Sequence, residues 1–263
     1  MDLGRRRFLW LLAGGAACTA AAGAQVTDRL RVVTERCDLG LRRPLRAAVL
    51  SDLHAPRYTF HLRHLHTEIE RARPDVVLIL GDTIDVAGNE KLFGELFGPL
   101  QARLGKFAIL GNHEYWHDIN RHKLGAAYTA AGVSLLVNRS VDLRVDGARL
   151  RLVGLDDWTT GHPDLSICPS DDVPTLVLSH CPVGAPKIAE RLGAHAVILS
   201  GHTHGGQIAP FGHALHTPFG SGPYVRGWYD VAGHPLYVSV GLGNCGLNLR
   251  VGVPPTLVLL EMA

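Results

Sequence analysis

Apolar and polar positions alternate along this chain in short blocks that switch between strand and helix periods. Leu45–Leu50 reads as a strand, and Val76–Leu80 is an unbroken apolar run of the kind buried on both faces of a sheet. Between them a helical spacing covers Phe60–Ala72 and stops before Pro74, which cannot continue a helix. The alternation goes on with a helix over Glu90–Ala102, a strand over Lys106–Leu110, a helix over Asp118–Ala131 and a strand over Val133–Val137. The texture then changes. Val141–Val145 and Arg149–Val153 read as a hairpin across Asp146-Gly147, a common turn pair.

Further strands are predicted at Leu176–Leu178, Ala196–Ser200, Leu236–Val240 and Thr256–Leu260, with a helix over Ala185–Arg191 and a long loop over Ala209–Tyr229. A short early strand, Leu30–Thr34, lies in what reads as a connecting segment, residues 25–44. Strands that alternate with helices and also form hairpins predict an α/β fold of two packed sheets with helices outside, occupying residues 45–263.

Five of the predicted strands end in residues that bind metals. They deliver Asp52 and His54; Asp82; Asn112 and His113; His180; and His202 and His204. Singly each is weak. Gly81-Asp82 is a common turn pair, and Ser179-His180-Cys181-Pro182 is almost uninformative. In an open α/β sheet, however, ligands gather at the carboxyl ends of strands, so all five loops can meet at one edge. The stretch Gly201-His202-Thr203-His204-Gly205-Gly206-Gln207 is the most specific of them. Its paired imidazoles point to one side of an extended chain, and Gly205 and Gly206 read as clearance for a substrate. Fifteen His against six Tyr and seven Phe is a high ratio, about half of it expected to be surface histidine. His61, His64 and His66 on the first helix belong to that solvated group.

The ordered set Asp52-x-His54, Gly81-Asp82-x-x-Asp85, Gly111-Asn112-His113-Glu114, His180 and Gly201-His202-x-His204 resembles the calcineurin-like metallophosphoesterase superfamily over residues 45–261. The resemblance implies a four-layer α/β/β/α fold and two divalent metal ions. One ion would be held by Asp52, His54, Asp82 and His204, the other by Asp82, Asn112, His180 and His202. Mixed oxygen and nitrogen donors suit Mn, Fe, Zn or Co better than Ca or Mg. The family's chemistry is cleavage of a phosphodiester by a metal-bridging hydroxide, with His113 over the leaving group as acid. Asp85 and Glu114 would steady imidazoles from behind. Gly154-Leu155-Asp156-Asp157, Gly241-Leu242-Gly243, Arg250 and Pro254-Pro255 further resemble a branch of small exported phosphodiesterases. Asp156 and Asp157 could border the cleft.

Residues 1–24 carry Arg5-Arg6-Arg7-Phe8-Leu9, an Ala/Gly-rich apolar run and a small-x-small end, which reads as an export signal of twin-arginine type. The alternative is a retained membrane anchor, although the run falls short of the roughly 20 strongly apolar residues that span a bilayer. The expected location is therefore the periplasm, cell wall or extracellular space, with the twin-arginine export machinery as a partner and a loose membrane association under the anchor reading. Without these residues basic and acidic side chains balance at 23 each, so nothing calls for nucleic acid. The remaining cysteines, Cys37, Cys168, Cys181 and Cys245, lack paired metal-type spacing. The expected substrate is a phosphoester, with lipid or cell-wall linkage open. Two alternatives also stay open: a pyrophosphatase acting on a nucleotide-sugar lipid or cell-wall precursor, and a metal-binding envelope protein without turnover.

Overall fold

The computed structural model describes residues 29–55, 62–116, 119–145 and 148–263. Two six-stranded sheets face each other. In the first, the order is β1 (Arg31–Cys37), β12 (Thr256–Met262), β2 (Leu45–Leu50), β3 (Val76–Leu80), β4 (Lys106–Ile109) and β5 (Val133–Leu135). In the second it is β10 (Gly227–Val231), β11 (His234–Val238), β9 (Ala196–Ser200), β8 (Thr175–Leu178), β7 (Ala148–Gly154) and β6 (Arg139–Val145). The helices are α1 (Leu62–Ala72), α2 (Phe93–Phe97), α3 (Arg121–Ala130) and α4 (Ala185–Ala189).

The unbroken apolar strands are explained by what lies on their two faces. In β3, Val76, Leu78 and Leu80 point between the sheets, packing with Val49, Ile109, Leu176, Leu178 and Leu199. Its other two residues, Val77 and Ile79, join the layer under α1, α2 and α3 with Leu65, Ile69, Phe93, Phe97 and Tyr128. On the far side of the second sheet, Val177 and Ile198 pack with Ile188 of α4. Each fully covered aliphatic side chain contributes about 1.5–3 kcal/mol of transfer free energy.

Within each sheet, β2, β3, β4 and β5 run parallel, as do β7, β8, β9 and β11. Their carboxyl ends collect the loops that carry the predicted metal-type residues.

Several elements differ from the sequence expectation. The early strand runs further, Arg31–Cys37, because it pairs along its whole length with β12 as the outer strand of the first sheet. The helix expected over Glu90–Ala102 is one 3₁₀ turn followed by the short α2, since Gly98-Pro99 ends it. Helix α3 starts at Arg121, where Asn120 Oδ1 accepts the N–H groups of His122 and Lys123. Strand β10 falls inside the segment expected to be loop. It pairs antiparallel with β11 across a tight turn, and its half-covered residues Trp228 and Tyr229 lack the clean alternation that marks a strand. The start of the first helix, the hairpin turn at 146–147 and the expected export signal lie outside the described residues.

Tyr128 of α3 ties the helical layer to the site edge. Its fully buried hydroxyl is 2.8 Å from Thr83 Oγ1, next to Asp82. Tyr128→Phe leaves that threonine hydroxyl unpaired and should cost about 1 kcal/mol, a melting temperature lowered by roughly 2–4 °C in a scanning calorimeter. A melting point unchanged or raised would show the bond contributes nothing net.

Candidate metal centre

The loops leaving β2, β3, β4, β8 and β9 turn sharply as soon as the strands end. Asp52, His54, Asp82, His202 and His204 all have positive φ, between 49° and 71°. A left-handed backbone costs roughly 1–2 kcal/mol at a residue other than glycine, and Asp and His tolerate it better than most. Five such residues at one point mark a place where geometry is held against local preference. Gly111 is required there for space: a Cβ on it would meet Asp82 Oδ1 at 2.2 Å and His180 Cε1 at 2.8 Å.

Two sets of donors converge. In the first, His54 Nε2 and His204 Nε2 are 3.0 Å apart, with Asp52 Oδ1 3.7 Å from His204 Nε2 and Asp82 Oδ2 3.9 Å from His54 Nε2. In the second, His180 Nδ1 donates to the Leu80 carbonyl at 2.6 Å, which turns Nε2 toward Asp82. That buried Nε2 lies 3.2 Å from Asp82 Oδ2. His202 Nε2 donates to the Phe219 carbonyl at 2.8 Å, so its bare Nδ1 faces the Asn112 side-chain oxygen at 2.9 Å. An acceptor facing an acceptor is what a cation resolves. Asp82 stands between the two sets. All the clusters of metal-type donors found among the described residues are at this edge.

A second ring of groups holds these donors. Asp85 bridges two imidazoles, bonding His54 Nδ1 and lying 2.9 Å from His113 Nδ1. Glu114 does something else than expected. Its fully buried carboxylate accepts the backbone N–H groups of Gly111 at 2.7 Å, Asp82 at 3.0 Å and Thr83, so it steadies two loops rather than an imidazole. His113 stacks on Trp116 with centroids 4.5 Å apart, donates its backbone N–H to Asp82 Oδ1, and has its Nε2 3.7 Å from Cys245 Sγ. Gln207, which had no role in the sequence reading, clamps the Cys245 loop: Oε1 accepts Cys245 N–H, and Nε2 donates to the carbonyls of Cys245 and Leu247.

The charges follow from this packing. Burial alone would raise the Asp82 carboxyl, but the imidazoles of His180, His113 and His54 outweigh it and hold the group well below the usual carboxylate range. Burial likewise opposes charge on His180, yet Asp82 beside it pushes that imidazole up to about 10. Burial also opposes charge on His113, where the bond to Asp85, helped by Cys245 and Asp82, raises it to about 11. Burial and the neighbouring His54 and Arg250 hold His204 well below the ordinary value. Burial, with the nearby Asp82 charge, raises Glu114 to about 7.

Every sequence-predicted donor is thus at one edge, within reach of Asp82 or of a neighbour that reaches it. Asp156 and Asp157 are buried beside it: Asp156 accepts from Tyr115 Oη and the His162 N–H, and Asp157 accepts from Thr159 and from Cys181 Sγ at 3.3 Å. Cys168 and Cys181 are both free thiols. His64 is exposed and His66 bonds the Leu96 carbonyl, both away from the site; His61 lies outside the described residues. The glycines of the central stretch serve the chain rather than a substrate. A Cβ on Gly205 would strike Val240 and Val253, and one on Gly206 would strike Ala214. Sequence reasoning missed Cys245 and the contact of Arg250 Nη2 with His204 Nδ1 at 3.2 Å. Both follow β11, so the strand-end rule that found the other donors extends to them.

Residues 45–206 match the family model for the calcineurin-like phosphoesterases. The chain is 35% identical over 231 residues to an uncharacterized metallophosphoesterase of Campylobacter jejuni, covering 84% of this chain and 60% of that protein, so it spans under two thirds of that relative's length. It is 28% identical to the phosphodiesterase YaeI of Escherichia coli over 83% of this chain and 82% of that one. Among solved structures, GAP50, the anchor in the inner membrane complex of Plasmodium, shares the fold at a TM-score of 0.52 with 12% identity, over 83% of this chain and 81% of that one. Convergent donors on parallel strand ends and the family match agree: the chain belongs to the calcineurin-like phosphoesterase family and carries its metal-dependent phosphoesterase domain.

Proposed function

We propose that this protein is an exported phosphodiesterase working with two divalent ions. Asp52, His54, Asp82 and His204 would hold one; Asp82, Asn112, His180 and His202 would hold the other. The observation that carries the reading is the convergence at one edge of Asp52, His54, Asp82, Asn112, His180, His202 and His204, all buried, with the His202 Nδ1 facing the Asn112 side-chain oxygen. When bound, such ions supply a hydroxide nucleophile near neutral pH and positive charge for the phosphoryl oxygens. The chain's own part is positional: Asp82 shared between the sets, Asp85 orienting His54 and His113, and the His113 imidazole placed to give a proton to the departing oxygen. A diester over a monoester is the preference that the family resemblance implies. The similarity to a phosphodiesterase of Escherichia coli supports the same class. The Arg5-Arg6-Arg7-Phe8-Leu9 leader supports the exported reading, with residues 45–263 and the added outer strand β1 as the catalytic domain.

Purified protein loaded with Mn should hydrolyse bis(p-nitrophenyl) phosphate and contain two ions per chain by elemental analysis. Two bound ions with no hydrolysis of any phosphoester would favour a binding protein instead. Metal uptake should also depend on pH. The metal-free His180 imidazole, raised to about 10, is protonated at neutral pH and must lose that proton to become a ligand. Affinity should therefore rise by about tenfold per pH unit for each proton displaced, from pH 6.5 towards 8.5. Indicator competition at several pH values would measure it, and an affinity flat over that range would refute proton displacement.

A further inference from the structure

The exposed apolar side chains are confined to one edge of the sandwich. Val86 follows β3, Trp116 follows β4 and Val183 follows β8. Phe211, Leu215 and Phe219 stand on the connection from β9 to β10, exposed by 72%, 70% and 90%, and Leu247 on the one from β11 to β12. These are all the exposed large apolar residues among the described ones, and every one leaves a strand at the end where the metal-type donors meet. The described connections at the opposite edge, 38–44, 73–75, 98–105, 131–132, 190–195 and 232–233, carry none. Scattered single exposures are ordinary, but a set gathered at one edge of the sandwich marks a contact surface.

Two further observations choose the occupant. Residues 200–229 and 239–260, which carry four of these side chains, contain Arg226 and Arg250 and no Asp or Glu; the acidic residues of this edge, among them Asp85, Glu90 and Glu114, lie on the loops that carry Val86 and Trp116. The domain also meets its N-terminal 28 residues at this edge. Strand β1 runs parallel to β12, which begins there, and the Arg31 N–H bonds the Pro255 carbonyl at 2.8 Å. The first described residues of β1 therefore lie at the same edge of the sheet as the metal-type donors, two strands out from β2. Separate protruding side chains on Gly- and Pro-rich loops suit a fluid surface better than a fitted groove. A second copy seated there would cover the site.

We infer that this edge docks on an anionic phospholipid bilayer, so that the site addresses phosphoesters presented at the membrane surface. The inference rests on the phosphoesterase reading for its purpose, and the measurements separate the two.

The test uses the full chain carrying Phe211→Trp and vesicles of phosphatidylcholine and phosphatidylglycerol. Emission added by the substitution should fall by about half with a nitroxide near the lipid headgroups, and less with one at the acyl ends, as for a side chain roughly 5–10 Å into the interface. A vesicle-bound chain whose added emission is unquenched would be held by its N-terminal segment alone and would overturn the inference. So would a chain that binds no vesicles, or one that dimerises through this edge and becomes monomeric with Phe211→Ser/Leu215→Ser. Hydrolysis of a soluble diester by that double variant should match the unmodified chain. A failure of the unmodified chain to hydrolyse it would count against the phosphoesterase reading alone.

Discussion

Asp82→Asn should lower phosphodiester hydrolysis by at least about a thousandfold and strip the protein of bound metal. Asp82 reaches both donor sets from between them, while Asp52 approaches each from the side. The Asp82 Oδ2 is 3.2 Å from His180 Nε2 and 3.9 Å from both His54 Nε2 and His113 Nε2, and its Oδ1 takes the His113 backbone N–H. An amide fills the same volume but removes the negative charge and turns one oxygen into a donor aimed at imidazole nitrogens. Two cations held close together, at roughly 3.5–4 Å in two-metal sites, repel each other without a shared carboxylate. The metal-free variant should still fold, because Glu114 continues to tie Gly111 to Thr83. The stabilisation that saturating metal gives the unmodified chain, which grows with ligand concentration over Kd, should vanish. Calorimetry with and without Mn, beside elemental analysis, would read both. Two ions retained with a rate within tenfold of normal would sink the shared-ligand assignment.

The donors themselves were legible because the chemistry sits where topology predicts it. Val76–Leu80 announces a strand buried on both faces, and the residue types just beyond it are then constrained to one edge. Glu114 was placed correctly at that edge, but its partners were not legible. Whether a carboxylate takes an imidazole or three backbone N–H groups depends on how the loops after β3 and β4 cross, and Gly111 sets that crossing. Gly205 and Gly206 misled for the same reason: clearance is visible in a glycine, while what comes close is not. Strand β10 was hidden because Trp228 and Tyr229 are half-covered and give no period-two signal. Cys245 carried no local motif of its own and the branch resemblance gave Arg250 no role, because the pairing of β11 with β9 is what brings their loop to the site.

His113→Ala should lower the rate by about 10²- to 10⁴-fold for a diester with an alkyl leaving group while both ions stay bound. The imidazole is fixed from several sides. It stacks on Trp116, meets His54 edge-on at 4.7 Å, and lies between Asp85 at Nδ1 and Cys245 at Nε2. In the metal-free chain the Asp85 carboxylate, with Cys245 and Asp82, raises it to about 11 against the effect of burial; bound cations would lower that value, and the hydrogen bond to Asp85 favours the protonated form. An acid must be protonated to act, so its contribution is present below its pKa and lost as pH rises through it. Removing the imidazole should therefore flatten the alkaline limb of the pH–rate profile. It should also matter more for an alkoxide, which needs a proton to leave, than for nitrophenolate, which does not; the loss on the nitrophenyl diester should be smaller by about tenfold. A residue that merely packs the loop would slow both substrates equally and leave the profile unchanged. Loss of an ion from the variant would make His113 a ligand instead. Cys245→Ser, which keeps a polar neighbour at Nε2, should retain most of the rate, and that contrast separates the proton donor from the side chain resting against it.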